Sequence, residues 1–151
     1  MLESVLAKLA RADVDFIVVG GLAVAQAGYA RFTEDIDVLV DVDAANLGRL
    51  IGALSAMGEG AAAELTPNDF PLEEGAVRVI EDVVVDIFTQ MSGLGYADLE
   101  GASVVHDLEG EPVRFLGAEG LIRLKSGSLR PKDQLDVVAL RAVLEGRDPN
   151  A

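Results

Sequence analysis

A chain of 151 residues has the length of one domain with room for a substantial core. Half of its residues are apolar, a quarter are charged and none is cysteine, which excludes a disordered chain, a disulfide scaffold, thiolate metal sites and a cysteine nucleophile. The net charge of −14 speaks against tight non-specific nucleic-acid binding, and the longest apolar run, Phe16 to Ala25, is far shorter than the roughly 20 residues of a membrane helix.

The chain starts MLESVLAKLARADVD, acidic and amphipathic rather than basic and apolar, so no signal peptide is read and a cytoplasmic protein without a membrane partner is expected. Leu2, Val5, Leu6 and Leu9 form one stripe and predict a helix over 2–11. DFIVVGG follows as a strand buried on both faces and stopped by two glycines. LAVAQAGYA is helix-prone, with Gly28 as its C-terminal cap. DIDVLV is a second strand. Asp43 is placed to cap a helix whose stripe, Leu47, Leu50, Ile51, Leu54 and Met57, stops at Gly58. Residues 59–75, with Pro67 and Pro71, are irregular and long enough to suggest a lid or acceptor loop. VRVI and VVVDIF read as a hairpin, as do VVHDL and PVRFL around Glu109-Gly110-Glu111. Helices close the chain over 117–126 and 131–146, the second with Pro131 at its first position. This order predicts a single α/β (α+β) domain over residues 1–151, a mixed β-sheet flanked by helices.

Asp-x-Asp occurs at 13/15, 35/37 and 41/43, and context separates the three. The first pair lies in a turn and the third between a strand and a helix. Asp35 and Asp37 alone sit at the start of a buried-type strand, where an uncompensated carboxylate is costly. Alternation puts both side chains on one face, about 7 Å apart at Cα, a spacing that suits a shared divalent cation. Asp86 is a third charge inside an apolar strand, between Val85 and Ile87. Three carboxylates at one sheet edge repel one another, and Mg²⁺ or Mn²⁺ would relieve that repulsion. Pairing of Asp86 with Arg78 is the competing account. Gly20-Gly21 stands at a strand-to-helix turn, where backbone and a helix N-terminus can approach a phosphate. The turn has neither the Lys-Ser/Thr of a Walker loop nor further glycines. Seven of the twelve basic residues fall after position 113, against an anionic ligand or simply on solvated helix faces.

Together, VVGGLAVAQAGYARFTEDIDVLV and the later Asp86 resemble the signature of the DNA polymerase β-like nucleotidyltransferase superfamily: a Gly-Gly turn, a short helix, Asp-x-Asp, then a third carboxylate. Arg31 and Thr33 ahead of the aspartates, and the tail LGAEGLIRLKSGSLRPKDQLDVVALRA, are most like the small bacterial AbiEii-like and related branch. The resemblance covers roughly 14–40, 83–88 and 113–143, and the chain is expected to do without the extra helical domain with which many relatives grip an acceptor.

The resemblance implies a nucleotidyltransferase fold and transfer of a nucleoside monophosphate from a nucleoside triphosphate to a hydroxyl, releasing pyrophosphate. Asp35, Asp37 and Asp86 would hold the metal, with Asp86 also the general base. Gly20 and Gly21 would cradle phosphates, and Lys125, then Arg130 and Lys132, would supply positive charge. Arg31 contacts phosphate or neutralises Glu34. Asp133 and Asp136 are read as structural, tying their helix to Arg130, or Lys132 to Asp136. Thr33 supports Asp35, and His106, the only histidine, is structural. The acceptor is open between a small molecule such as an aminoglycoside, tRNA and a protein. The alternative is a catalytically silent nucleotide- or partner-binding module, for example a toxin–antitoxin component, acting with a partner protein or as a homo-oligomer. A phosphohydrolase ranks last, because its Asp-x-Asp follows a strand whereas Asp35 and Asp37 begin one.

Overall fold

The computed structural model describes residues 1–151. Chain order runs α1 (Leu2–Arg11), β1 (Phe16–Val19), α2 (Gly20–Ala27), β2 (Asp35–Val40), α3 (Ala44–Ser55), β3 (Ala76–Ile80), β4 (Val84–Phe88), α4 (Tyr96–Leu99), β5 (Ser103–Leu108), β6 (Glu111–Leu116), α5 (Ala118–Lys125) and α6 (Pro131–Leu144). The six strands form one mixed sheet in the order β3-β4-β2-β1-β6-β5. β1 runs antiparallel to β2 and parallel to β6, while β4 is parallel to β2 and antiparallel to β3. All four residues of β1 are buried, as its unbroken apolar run requires of a central strand.

The helices fall into two packed groups, α1 with α3 and α2 with α5 and α6. Ile17, Ile36, Leu39, Leu50, Ile87 and Leu140 are fully buried between them and the sheet. Gly28 ends α2 at φ +127, and a side chain there would press on Val143 of α6. No helix is long and apolar enough to cross a membrane.

The register assembles the site. Val19 pairs with Asp37, Asp37 with Asp86, and Asp86 with Arg78. These partners form one row across β1, β2, β4 and β3, and directly paired residues share a face. Asp35, two residues before Asp37, shares it too.

Several local expectations change. Asp43 occupies the N-cap position of α3 without a side-chain cap bond. Asn46 instead ties that corner, donating to the carbonyls of Asp15 and Asp41 at 3.0 and 2.8 Å. The β5–β6 turn is only Glu109-Gly110, at φ +52 and +86, because a two-residue hairpin turn twisted to match its strands needs both residues left-handed. α4 was not anticipated; four residues are too few for a periodic stripe. Within 59–75, Ala62 and Phe70 are buried, Pro67–Asp69 form a 3-10 turn, and Glu81 accepts hydrogen bonds from the backbone of Glu59 and Ala61. His106 meets Phe115 edge-on at 5.3 Å, in keeping with its structural reading.

Candidate active site

A cavity of about 570 Å³ opens over the Asp37–Asp86–Arg78 row, and all nine residues singled out from the sequence line it. Gly20, Gly21 and Arg31 enter from α2 and the loop after it, Asp35 and Asp37 from β2, and Asp86 from β4. Lys125 ends α5, and Arg130 and Lys132 stand at the start of α6.

Gly20 has φ +67, and a Cβ placed on it would lie 2.0 Å from Asp37 Oδ2. The carboxylate therefore rests against the bare Cα at the first turn of α2. Gly21 is less constrained; its added Cβ would meet Thr33 Oγ1 at 3.3 Å and the Arg31 guanidinium at 3.4 Å. Thr33 donates to the carbonyl of Asp35 at 3.3 Å, so it does support that aspartate.

Burial, then the charges of Asp86 and Asp35, push the Asp37 carboxyl up to about 6 from 3.8. Lys125 and Arg78 only partly offset this. An all-oxygen donor set short of positive charge is the chemistry a hard divalent cation fits. Arg78 partly meets the shortage. It donates from Nε to Asp86 Oδ1 at 2.8 Å and from Nη2 to Oδ2 at 3.0 Å, and lies 3.9 Å from Asp35. As the side chains stand, no three Asp, Glu or His residues are grouped to hold a metal ion.

The basic wall is more internally paired than its sequence suggested. Lys125 Nζ contacts Asp133 at 2.9 Å and Asp136 at 3.1 Å, and Arg31 donates to Asp136. Asp136 is almost completely buried, its side chain only 2% exposed. Ser128 donates to Asp133 at 2.7 Å. Partial burial raises the Asp133 carboxyl, but the bonds from Ser128 and Lys125 outweigh it and hold the group below its ordinary value. The pairing of Asp136 with Lys132 or Arg130 is thus corrected, since its partners are Arg31 and Lys125. Arg130 touches Asp133 only loosely, at 3.9 Å. Nor does Arg31 neutralise Glu34, because its guanidinium is committed to α6. A lysine beside RPKDQLD announces an ion-pair network, but which cation meets which carboxylate depends on how α5 packs on α6.

Arg78, Ser128 and Glu74 also line the cavity and were not put forward as site residues. Arg78 alternates with apolar residues in VRVI, so its facing Asp86 was readable once the β3–β4 register was known. Glu74 accepts hydrogen bonds from the backbone N–H of Ser92 at 2.8 Å and Gly93 at 3.2 Å, for which no sequence signal existed.

The family match and the fold place the chain among the nucleotidyltransferases, consistent with the DNA polymerase β-like superfamily. The chain belongs to the aminoglycoside-2''-adenylyltransferase family, whose profile matches residues 1–140. The superfamily is the one expected from the sequence, but the family that matches is this one and not the AbiEii-like branch. Among solved structures, ANT(2'')-Ia in complex with adenylyl-2''-tobramycin is similar, with TM-score 0.58 and 15% identity over 96% of this chain and 87% of that one. A Thermotoga maritima protein described as a nucleotidyltransferase gives TM-score 0.55 and 17% identity over 97% and 91% of the two chains. An antigenic nucleotidyltransferase-like protein from Paracoccidioides brasiliensis gives TM-score 0.54 and 19% identity over 92% and 74%. No curated protein sequence gives a significant match.

Proposed function

We propose that residues 1–151 act as one transferase domain that moves a nucleoside monophosphate, with ATP the favoured donor, onto a hydroxyl of a small polycationic acceptor. The observation that carries this reading is the convergence of nine expected residues on one cavity whose walls differ in sign. Lys125, Arg130, Lys132 and the free N–H groups of α2 would hold the triphosphate. Lys125 donates one hydrogen bond to Asp133 and pairs in charge with Asp136, which leaves a donor for a phosphate oxygen. Asp35, Asp37 and Asp86 would hold Mg²⁺ or Mn²⁺, which when bound supplies positive charge for the entering and leaving oxygens. Asp86 takes the acceptor hydroxyl proton as the new bond to the α-phosphorus forms and the bond to the pyrophosphate oxygen breaks.

Charge supports a cationic acceptor. A neighbouring cavity of about 250 Å³ shares Gln90 with the first and is lined by Asp41 and Asp98. Glu74 lines the first cavity beside the same Gln90. The family name and the adenylyl-2''-tobramycin of the ANT(2'')-Ia structure lend the same support.

Calorimetry with ATP, GTP, CTP and UTP, with and without Mg²⁺, tests the nucleotide site. Binding is expected to need Mg²⁺ and to be lost in an Asp35→Asn/Asp37→Asn double variant. Pyrophosphate release with aminoglycosides then tests transfer, and Asp86→Asn is expected to slow it at least ~100-fold. The Arg78–Asp86 pair favours a second reading, a binding module whose base is permanently neutralised. Mg²⁺-dependent nucleotide binding with no turnover on any acceptor would establish it.

A further inference from the structure

Arg78 lines the cavity and the transfer reading gives it no part. It is not a stray surface pair. It is aligned by register with Asp86 on the adjacent strand, and Asp37 continues the same row on β2. Two parallel N–H···O bonds at 2.8 and 3.0 Å engage both oxygens of an aspartate that is only 8% exposed, and a third carboxylate, Asp35, lies at 3.9 Å. A guanidinium cannot lose its proton near neutral pH, so this positive charge is permanent. Its side chain is 55% exposed and sits on edge strand β3, which leaves it free to swing outward.

We propose that Arg78 is an internal stand-in for the divalent cation: it holds Asp86 in place in the metal-free protein and must release it before that carboxylate can serve as a ligand. This rests on the metal-site reading above and adds the residue that sets metal affinity. Two consequences distinguish it from a merely structural ion pair. Bare divalent cations bind weakly, because they compete with a fork already seated on Asp86. Removing the fork strengthens metal binding, whereas removing a structural support weakens it.

The test measures Mn²⁺ alone, without nucleotide, by loss of the free-ion electron paramagnetic resonance signal. Wild type, Arg78→Gln and Arg78→Lys are compared, each also with Asp86→Asn. Arg78→Gln is expected to bind Mn²⁺ at least tenfold more tightly than wild type. Arg78→Lys, which keeps the charge but not the fork, falls between them. With Asp86→Asn the effect of Arg78→Gln shrinks to less than twofold. Thermal unfolding is the second readout: without metal Arg78→Gln melts below wild type, and Mn²⁺ raises its melting temperature more than that of wild type. Equal or weaker Mn²⁺ binding by a folded Arg78→Gln overturns the role of Arg78 and leaves the metal site standing. A failure of every protein, Arg78→Gln included, to bind Mn²⁺ overturns the metal site itself and this role with it.

Discussion

At the scale of single residues, the two glycines of the turn have different reasons to be glycine. Gly20 needs both its positive φ and its missing Cβ, whereas Gly21 needs neither absolutely. Gly20→Ala adds a left-handed penalty of about 1–2 kcal/mol and forces Asp37 off its rest. It should lower the melting temperature and abolish Mg²⁺-dependent nucleotide binding, while Gly21→Ala leaves stability within about 1 kcal/mol of wild type. Equal losses from both, measured by urea unfolding and calorimetry, would contradict this division. Asp37 supports a second prediction, about pH. Its carboxyl is raised in the folded state, so its protonated form is the favourable one. Below the ordinary value of 3.8 no penalty exists; as pH rises through about 6 the penalty becomes complete. Asp37→Asn should therefore stabilise the metal-free protein at pH 7.5 and lose that advantage near pH 4. The full shift corresponds to roughly 3 kcal/mol, and screening at this partly exposed position brings the expected gain to about 1–2 kcal/mol. Unfolding curves in chelator at the two pH values decide it, and a variant no more stable than wild type at pH 7.5 sinks the account.

At the scale of elements, two kinds of cation that look alike in the sequence gather around the start of α6. Arg31 and Lys125 are half-buried against Asp136 and Asp133, while Arg130 and Lys132 are exposed. Breaking a buried pair leaves a charge without a partner, so Asp136→Asn should cost about 3 kcal/mol or more in urea unfolding. Arg130→Ala should cost less than about 1 kcal/mol there and show its effect in triphosphate affinity instead. If Arg130→Ala destabilises as much as Asp136→Asn, the two kinds are not distinct. This contrast also marks how far the sequence could be read. Strands and helices were legible because their apolar periodicities are long and their ends carry glycine or proline. The candidate carboxylates were legible because a charge inside VVVDIF or at the head of DIDVLV breaks a pattern. Partner choice was not, because Asp136 lies 105 positions from Arg31 and only the packing of α6 beside α2 joins them. The parallel pairing of β6 with β1 was equally hidden, since nothing local specifies which strand lies beside another.

At the scale of the molecule, a net charge of −14 surrounds a site with one basic wall. A metal–triphosphate complex is anionic, so the global field repels it while the basic wall attracts it, and salt screens both effects together. A small polycationic acceptor meets the opposite situation: the global field and the nearby Asp41, Asp98 and Glu74 all draw it in. Raising NaCl from 50 to 300 mM should therefore lower kcat/KM for such an acceptor several-fold, roughly as the screening length shortens from about 14 to 6 Å. Over the same range KM for the nucleotide should change by less than about twofold. The comparison discriminates among acceptors as well. A tRNA acceptor is repelled by the same field, so added salt would first improve its use or leave it flat. Steady-state kinetics at the two salt concentrations, with Mg²⁺ saturating throughout, give the sign directly. A flat or rising acceptor dependence would remove the electrostatic case for a cationic substrate and turn attention to neutral or anionic hydroxyl compounds, with the nucleotide site unaffected by the outcome.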